Sequence, residues 1–348
     1  MAGAVVEAGV VTRVTELRGD GIGAELRAAV HAAAAALPVE LDFEPIDLSL
    51  ESRRQRGASL YDEAEESLRR NRVALKYPTA TEDESPNAEL RRRLGFSVIH
   101  RPVMSIEGVQ SNFKGEVFLH IIRVATGGTY DDPGRMIGSD AAVSLRIVER
   151  RPCHEAARYA FGWAQDHGLT VTSSSKHTIQ RTTDGFFESI VRDVSRDFPG
   201  VTHNVELFDA LLAKIILKPR DFQVVLCLNE YGDFLSDMAC GLTGSLGTGA
   251  SGTYSFDAQG ATAVAMFDPA GGTAPDIAGQ DRCNPSAALL ALAMLLDHTG
   301  HPGPGGALRQ ALLDSIAAGK STPDIGGDLS TSAFTAAVLA RLPDHLDR

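Results

Sequence analysis

Strand-like and helix-like segments alternate at the start of this chain. Residues 10–17, 39–48 and 73–78 have the apolar composition of strands, and the last of them ends at a proline. Residues 24–37, which are rich in alanine, and residues 63–71 have the periodicity of helices. Strands that alternate with helices assemble into parallel or mixed sheets. The pattern therefore predicts an α/β fold.

Length and charge limit the classes of partner. The chain has 348 residues, which is typical of two lobes or one large α/β unit. Its formal net charge of -12 disfavours nucleic acids and anionic membranes, because both attract a broad positive face. A small molecule is the favoured partner. It can still be an anion, since a cluster of arginines acts locally, within a Debye length of roughly 10 Å.

Cysteine spacing and hydropathy bear on the compartment. The four cysteines, at positions 153, 227, 240 and 283, lack the CxxC spacing of zinc sites, so we expect reduced thiols. No apolar run approaches the roughly 20 residues that span a bilayer, and the amino-terminal residues lack the pattern of a signal peptide. We therefore expect a cytoplasmic protein that binds neither membranes nor nucleic acids.

The glycine-rich segment GDGIGA, at residues 19–24, permits two interpretations. It satisfies the GxGxxG/A pattern between a strand and a helix, and Glu40 and Asp42 follow about twenty residues later, as in a dinucleotide-binding Rossmann fold. The pattern is short and frequent by chance, however. A tight turn that needs glycine only for its backbone conformation is the favoured alternative.

Acidic residues follow a second apolar segment. Residues 222–228 have the composition of a buried strand, and residues 229–232 are interpreted as its turn. Asp233 and Asp237 then occupy one face of a helix, where either Mg²⁺ or Mn²⁺ or the helix dipole would stabilise them. Asp209, in a predicted amphipathic helix, is either solvated or the third oxygen ligand of such a metal.

A group of polar residues indicates an anion site. Ser85 is interpreted as the N-cap of a helix that carries Asn87 and Arg91 on one face, and a helix N-terminus attracts anions. Arg101 and Arg123 follow strand-like runs and could pair with a second carboxylate. Each arginine alone is more often a surface residue. Together, the five residues favour a di- or tricarboxylate ligand.

Two further residues could carry protons. Tyr130 lies in a loop just beyond the strand that contains Arg123, and Lys176 follows a strand-like segment. A metal ion nearby would lower the pKa of each side chain towards the working range of an acid–base catalyst.

The sequence resembles the metal-dependent decarboxylating dehydrogenases that act on isocitrate, homoisocitrate, isopropylmalate and tartrate. The motifs that carry the resemblance are, in order, ELRGDGIGAE, SPNAELRRRL with HRPV, RVATGGTY, NEYGDFLSD, GGTAPDIAGQDRCNP and TPDIGGDLSTSAFTAAVL. It implies a two-lobed α/β fold with a mixed sheet through both lobes, and not a Rossmann fold. Residues 1–98 and 252–348 would form a large cofactor-binding lobe, and residues 99–251 a small lobe for substrate, metal and dimerisation.

The resemblance also assigns roles to individual residues. Asp233 and Asp237 of one protomer, together with Asp209 of its partner, would bind Mg²⁺ or Mn²⁺, which implies a homodimer with shared active sites. The residues that would bind the substrate are Ser85, Asn87, Arg91, Arg101 and Arg123. Lys176 would help to deprotonate the substrate hydroxyl from across the dimer interface, and Tyr130 would protonate the enol that remains after CO₂ departs.

The cofactor segment favours NAD. Asp276 would accept hydrogen bonds from both adenosine ribose hydroxyls and repel a 2′-phosphate, although the neighbouring AGQDRCNP is closer to NADP-dependent isocitrate enzymes. Asn284 would contact adenine, and Gly272, Thr273 and Ala274 would also bind the cofactor.

Several positions depart from the family pattern. These are Ala24, Tyr77, Val124, Thr178 and Gly271. The expected reaction is oxidative decarboxylation of an isocitrate-like 3-substituted malate. The departures leave open 3-phosphonomethylmalate, homoisocitrate or isopropylmalate as substrate, or a noncatalytic regulatory subunit of an isocitrate dehydrogenase.

Overall fold

The computed structural model describes residues 11–244 and 249–346. Parts of the predicted first strand and of both predicted lobes, at residues 1–10, 245–248 and 347–348, lie outside them. The strands are β1 Thr12–Arg18, β2 Leu41–Asp47, β3 Val73–Lys76, β4 Val98–Met104, β5 Phe118–Val124, β6 Arg135–Ile137, β7 Ala141–Val143, β8 Val171–Ser175, β9 His203–Leu207, β10 Val224–Cys227, β11 Ala250–Phe256 and β12 Thr262–Pro269. The helices are α1 Gly23–Ala36, α2 Leu50–Arg56, α3 Ala58–Asn71, α4 Pro86–Leu94, α5 Arg150–His167, α6 Thr183–Ser195, α7 Phe208–Leu217, α8 Asn229–Thr243, α9 Ser286–His298, α10 Pro302–Ala317, α11 Thr331–Arg341 and α12 Pro343–Leu346.

One mixed sheet runs through the molecule in the order β2-β1-β3-β12-β11-β4-β5-β10-β8-β9. Its two flanks are parallel, whereas β12, β11, β4 and β5 are joined by antiparallel pairs. This order differs from the all-parallel dinucleotide-binding sheet, in which both halves are wound from one central strand. The prediction of a mixed sheet is therefore confirmed. The lobe boundaries remain a prediction, because β4 and β11 join the two predicted lobes in one continuous sheet.

The register of β4 and β5 brings two predicted site residues to one face. Arg123 lies opposite Ile99, and Arg101 is two residues beyond Ile99 on the same strand. Side chains two residues apart point to the same side of a sheet. The antiparallel pair thus places both arginines under helix α8.

The predicted turn at residues 229–232 is wrong. The backbone passes from β10 through Leu228 directly into α8, which begins at Asn229. Gly232 suggested a turn, but it is helical and allows close packing. A Cβ atom at this position would lie 2.7 Å from the Cβ of Arg123. The glycine therefore sets the approach of α8 to β5.

The carboxy-terminal part also differs from expectation. The glycine-rich region that begins near residue 252 contains the hairpin of β11 and β12, and all seven residues of β11 are buried. Its segment ASGTYSF has few large apolar residues, so the hydropathy pattern did not indicate a strand. Helices α10, α11 and α12 follow α9, and α10 is longer than α9 although it contains three glycines. Packing against α9 stabilises α10 despite its glycines.

Candidate active site

The glycine turn before α1 is filled by the protein's own backbone. A Cβ atom on Gly19 would lie 1.9 Å from the carbonyl oxygen of Pro78, and one on Gly21 would lie 1.9 Å from that of Thr273. Gly21 also has a left-handed φ of +58°. The Asp20 carboxylate accepts two backbone N–H groups, each at 2.8 Å. The glycines therefore serve a tight turn that holds Thr273, and the dinucleotide-fingerprint interpretation is wrong.

Helix α1 positions the predicted cofactor segment. The Glu25 carboxylate accepts the backbone N–H groups of Gly279 and Asp281, at 2.9 and 2.7 Å. Asp276 lies on the exposed side of this segment, where its carboxylate is accessible to a ligand. By contrast, the side chain of Asn284 is already engaged with Asp324 and with the backbone N–H of Ser286. Asp276 is thus the more available of the two predicted adenosine contacts.

Four predicted substrate and metal residues form one cluster above β4 and β5. The Arg101 guanidinium donates to the Ser236 hydroxyl at 2.6 Å and to the Asp233 carboxylate at 3.3 Å, and it lies 3.7 Å from Asp237. Arg123 donates to the Asn229 side chain at 2.8 Å and is paired with Asp233. Asp233 is therefore held between two guanidinium groups, and Asp237 lies at the edge of the cluster.

The Tyr130 hydroxyl donates to the Asp233 carboxylate at 3.2 Å, and the Arg123 guanidinium lies over the Tyr130 ring. Burial raises the pKa of Tyr130, and the Asp233 carboxylate raises it further. The predicted lowering of this pKa requires a cation beside the phenol, and it remains a prediction.

The anion site contains polar atoms that lack partners. Ser85 caps α4 as predicted, and its oxygen accepts the backbone N–H of Ala88 at 3.3 Å. Within the described residues, the buried Oδ1 of Asn87 and the buried Nε atoms of Arg91 and Arg101 have no hydrogen-bond partner. Orphaned buried polar groups are rare in native proteins and call for a ligand or ordered water. The three atoms therefore mark a polar site that the chain itself does not satisfy.

The pKa values of two arginines also indicate an anion site. Burial, with repulsion by Arg91 and Arg101, lowers the pKa of Arg123 to about 9. Burial and repulsion by Arg101 also lower the pKa of Arg91. A guanidinium remains charged in proteins, so such shifts mean that the positive charges are held unfavourably close together. A further anion between them would relieve this repulsion.

Predicted substrate-binding and cofactor-binding residues border a common cleft. Its volume is about 280 Å³, and its lining includes Arg101, Ser236 and Asp237 on one side and Gly271 and Gly272 on the other. The proposed substrate cluster is thus adjacent to the proposed cofactor loop. Hydride transfer requires such an adjacency, because the reacting atoms must approach to about 3–3.5 Å.

Lys176 and Asp209 form a separate cluster. The Lys176 ammonium donates to the Asp209 carboxylate at 2.5 Å, and this hydrogen bond lowers the pKa of Asp209. In the part of the chain that the structure describes, no three acidic, histidine or cysteine side chains converge to hold a metal. Asp209 does not join Asp233 and Asp237 within one chain, so its contribution from a second protomer remains a prediction.

The helix-dipole alternative does not explain Asp233 and Asp237. Helix α8 begins at Asn229, so Asp233 is its fifth residue and Asp237 its ninth. The dipole acts mainly within the first turn, which contains Glu230 instead. The Asp233 and Asp237 carboxylates lie near Arg101, in the cluster above β4 and β5.

Sequence reasoning missed several residues that support the site. Asn229 and Ser236 hydrogen-bond to the two central arginines, and Arg146 pairs with the buried acids Asp184 and Glu230. Asn229 and Glu230 had been assigned to a turn. Continuing the helical periodicity backwards from Asp237 through Asp233 would have placed them in the first turn of α8.

Two of the departures from the family pattern lie in the core. Val124 is buried in β5, and the buried Tyr77 donates its hydroxyl to Glu16 at 3.3 Å. Gly271 lines the cleft, and Thr178 is exposed near Lys176. The departures are therefore divided between the core and the surroundings of the predicted site.

The family model of isocitrate/isopropylmalate dehydrogenases matches residues 13–338. The chain belongs to this family. Its fold is the α/β fold of these dehydrogenases, as predicted. Among solved structures, this family member resembles the isocitrate dehydrogenase of Methylococcus capsulatus with a TM-score of 0.87 and 30% identity, over 95% of this chain and 99% of that chain.

Curated relatives of this family member include proteins named as catalytic and as regulatory. It is 35% identical to mitochondrial NAD isocitrate dehydrogenase subunit 2 of Saccharomyces cerevisiae, over 94% of this chain and 90% of that protein. It is 30% identical to a mitochondrial regulatory subunit of the NAD isocitrate dehydrogenase of Dictyostelium discoideum, over 97% of this chain and 94% of that protein.

Proposed function

We propose that this chain oxidises and decarboxylates an isocitrate-like 3-substituted malate, with hydride transfer to NAD and with Mg²⁺ or Mn²⁺ as metal. The observation that carries the proposal is the unpartnered Nε of Arg101, which lies beside Asp233, Asp237 and the predicted cofactor loop, together with the unpartnered Nε of Arg91, whose charge is repelled by Arg101. Relatives named as NAD isocitrate dehydrogenase subunits support the same reaction.

The start of α4 favours a polar substituent on the malate. Ser85 and Asn87 lie there, and the Ser85 hydroxyl and the amide nitrogen of Asn87 are donors that can bind a carboxylate, whereas the unpartnered Oδ1 of Asn87 can only accept a hydrogen bond. An isopropyl group at this place would offer no acceptor to these donors. Isocitrate is therefore favoured over isopropylmalate, and homoisocitrate or 3-phosphonomethylmalate would present a comparable anion.

The donor set fits the proposed metal. Asp233 and Asp237 offer hard carboxylate oxygens, which suit Mg²⁺ and Mn²⁺. When bound, the cation lowers the pKa of the substrate hydroxyl and NAD accepts the hydride. A 2-hydroxy group near these aspartates would be the reacting centre.

The chain's own residues would bind the substrate and move its protons. Arg91, Arg101 and Arg123 would bind the malate carboxylates. Lys176 of the second protomer, as the neutral amine, would accept the hydroxyl proton as the C2 hydride leaves and C2 becomes a carbonyl. The bond from C3 to its carboxylate then breaks, CO₂ departs, and Tyr130 delivers a proton to C3 of the enol.

A homodimer would complete the site. Lys176 and Asp209 lie away from Asp233 in one chain, and large apolar side chains are exposed on the same region. These are Val205 on β9, Ile216 and Leu217 on α7, and Phe234 on α8. Exposed apolar patches of this kind mark protein interfaces. We propose that a second copy covers them, and Leu217→Asp should convert a dimer to monomers in analytical ultracentrifugation.

Within the described residues, no helix combines the length and the apolar character that crossing a bilayer requires. The cytoplasmic location remains a prediction, since relatives such as those of yeast and cattle are named mitochondrial.

A spectrophotometric panel tests the proposed reaction. The purified chain is assayed for reduced cofactor with NAD or NADP, with Mg²⁺ or Mn²⁺, and with isocitrate, homoisocitrate, isopropylmalate, tartrate or 3-phosphonomethylmalate. We expect turnover with NAD and isocitrate or a similarly polar malate. Arg91→Gln should raise KM at least ten-fold, because a charged hydrogen bond contributes about 1.5–3 kcal/mol. Arg92→Gln on the same helix is the matched control, since Arg92 pairs only with Glu89 and is exposed.

The second candidate is a noncatalytic regulatory subunit. The similarity to the regulatory protein of Dictyostelium discoideum favours it, as do Gly271 and Thr178, which depart from the family pattern beside the cleft and beside Lys176. Calorimetry with isocitrate separates the two candidates. Binding of isocitrate without reduced cofactor in any combination of the panel would support the regulatory candidate and contradict the enzyme.

A further inference from the structure

A buried arginine connects the two segments that carry the proposed acid–base residues. Arg146 lies between β7 and α5, and its side chain is 14% exposed. Its Nε donates to the fully buried Asp184 at 3.0 Å, and its Nη1 pairs with the buried Glu230. The guanidinium also lies 4.8 Å from the centre of the Tyr231 ring. Arg146 is thus fixed between two separate carboxylates.

Glu230, one of the two partners of Arg146, also contacts the loop that contains Tyr130. The Thr129 hydroxyl donates to Glu230 at 3.4 Å, and a Cβ atom on Gly128 would collide with the same carboxylate at 1.9 Å. In addition, Gly128 and Ile147 exchange backbone hydrogen bonds of 2.6 and 2.9 Å. The loop therefore rests on the Arg146–Glu230 pair and on the residue after Arg146.

Asp184, the other partner of Arg146, contacts the backbone of Lys176. The backbone N–H of Lys176 donates to Asp184 at 2.7 Å, and the Tyr231 hydroxyl donates to the same oxygen at 3.1 Å. Asp184 accordingly fixes the start of the segment that follows β8. Without Arg146, two buried carboxylates would lose the cation that both of them contact.

The shape of the guanidinium explains why arginine is needed. Its planar fork presents donors in several directions, whereas a lysine ammonium is a compact point charge. Nε and Nη1 of Arg146 reach different carboxylates at the same time. A lysine at this position would retain the charge but could hold only one of the two segments firmly.

We propose that Arg146 is a positioning residue that sets the Tyr130 loop and the Lys176 segment of its own chain together. Because Lys176 would act across the dimer interface, each active site would depend on Arg146 of both protomers, one for each proton transfer. This rests on the proposed function for its catalytic consequence. The structural consequence, ordering of both segments, does not depend on that function.

Three substitutions test the two arms of the Arg146 contact separately. One arm is the contact through Glu230 to the Tyr130 loop, and the other is the contact through Asp184 to the Lys176 segment. Glu230→Gln weakens the arm to Tyr130, Asp184→Asn weakens the arm to Lys176, and Arg146→Lys weakens both. Arg151→Gln is the matched control, because Arg151 is exposed, pairs with Glu155 on α5 and donates to the Phe256 carbonyl, outside both the Tyr130 loop and the Lys176 segment. Circular dichroism and thermal unfolding establish that each variant is folded.

Two kinetic signatures distinguish the arms. The isotope effect of substrate deuterated at C2 reports on the step that Lys176 assists, and the stereochemistry of deuterium at C3 of the product formed in D₂O reports on protonation by Tyr130. We expect Asp184→Asn to raise the isotope effect, Glu230→Gln to randomise C3, and Arg146→Lys to do both with kcat lowered about 10- to 100-fold. Arg151→Gln should change neither.

Hydrogen–deuterium exchange supplies a readout that requires no turnover. We expect Arg146→Lys to accelerate amide exchange in residues 127–130 and in residues 176–180, whereas each single-arm variant should affect only its own segment. Unchanged exchange in both segments of a folded Arg146→Lys protein would overturn the proposal. If Arg146→Lys does not fold, unchanged exchange in both Asp184→Asn and Glu230→Gln would overturn it equally. A wild-type protein inactive in the whole substrate panel would refute the proposed function, and the exchange result would still decide the role of Arg146.

Discussion

Replacing Asp233 by asparagine should have two separable effects, one on stability and one on turnover. The carboxylate neutralises Arg123, whose side chain is 3% exposed, and Arg101, whose side chain is 16% exposed. Removing one partner of a buried ion pair costs about 3–5 kcal/mol. The Asp233 side chain is 30% exposed and asparagine can still accept a hydrogen bond, so we expect a loss of about 1–3 kcal/mol in the free energy of unfolding.

Asp237→Asn is the matched control. Asp237 lies on the same face of α8, but its side chain is 70% exposed and 3.7 Å from Arg101. Its substitution should cost about 0–1 kcal/mol. If both residues bind the metal, however, both variants should lose metal-dependent turnover alike. Urea unfolding followed through the single tryptophan of the chain measures the difference in stability.

A ligand provides an independent check on the same reasoning. Without metal, tricarballylate should bind more tightly to Asp233→Asn than to the wild type, because its carboxylates need not compete with Asp233 for the arginines. Calorimetry measures this affinity. Equal stability losses in the two variants, or weaker tricarballylate binding to Asp233→Asn, would show that Asp233 does not compensate the arginine charges.

Three further predictions concern the turn, the core histidines and the cofactor. Gly19→Ala should lower the free energy of unfolding by at least about 1 kcal/mol, because its Cβ would clash with the Pro78 carbonyl; an unchanged urea midpoint would contradict this. Burial depresses the pKa of His120 to about 4 and holds that of His100 well below its usual range, so between about pH 6.5 and 4 the unfolded imidazoles gain protons that the folded ones do not. Stability should therefore fall as pH decreases from about 6.5 towards 4, by up to about 1.4 kcal/mol per pH unit for each histidine, and His120→Gln should flatten the curve measured by urea unfolding. Asp276→Lys should shift the preference in kcat/KM from NAD towards NADP, and a variant with the wild-type preference would exclude the ribose contact.

The candidate site was predictable from sequence to the extent that its residues lie in local motifs. Ser85 and the proline after it mark the start of α4, and the spacing of Asp233 and Asp237 places them on one helical face. Arg146 was not predictable in this way. Its partners lie 38 and 84 residues away, and no local periodicity encodes such distances.

The sequence by itself determined the α/β class, the first three strands, α1 and most of α3, and the types of residue that the proposed carboxylate and metal site needs; α2 was not predicted. These features follow from periodicity, capping and side-chain chemistry, which act over a few residues. Only the tertiary structure decided that Gly19 and Gly21 are filled by backbone at Pro78 and Thr273, and that Gly232 belongs to a helix packed on Arg123. A glycine in the sequence shows only that a side chain is absent. The segment that takes up its space comes from elsewhere in the chain, and the packing of the sheet selects it.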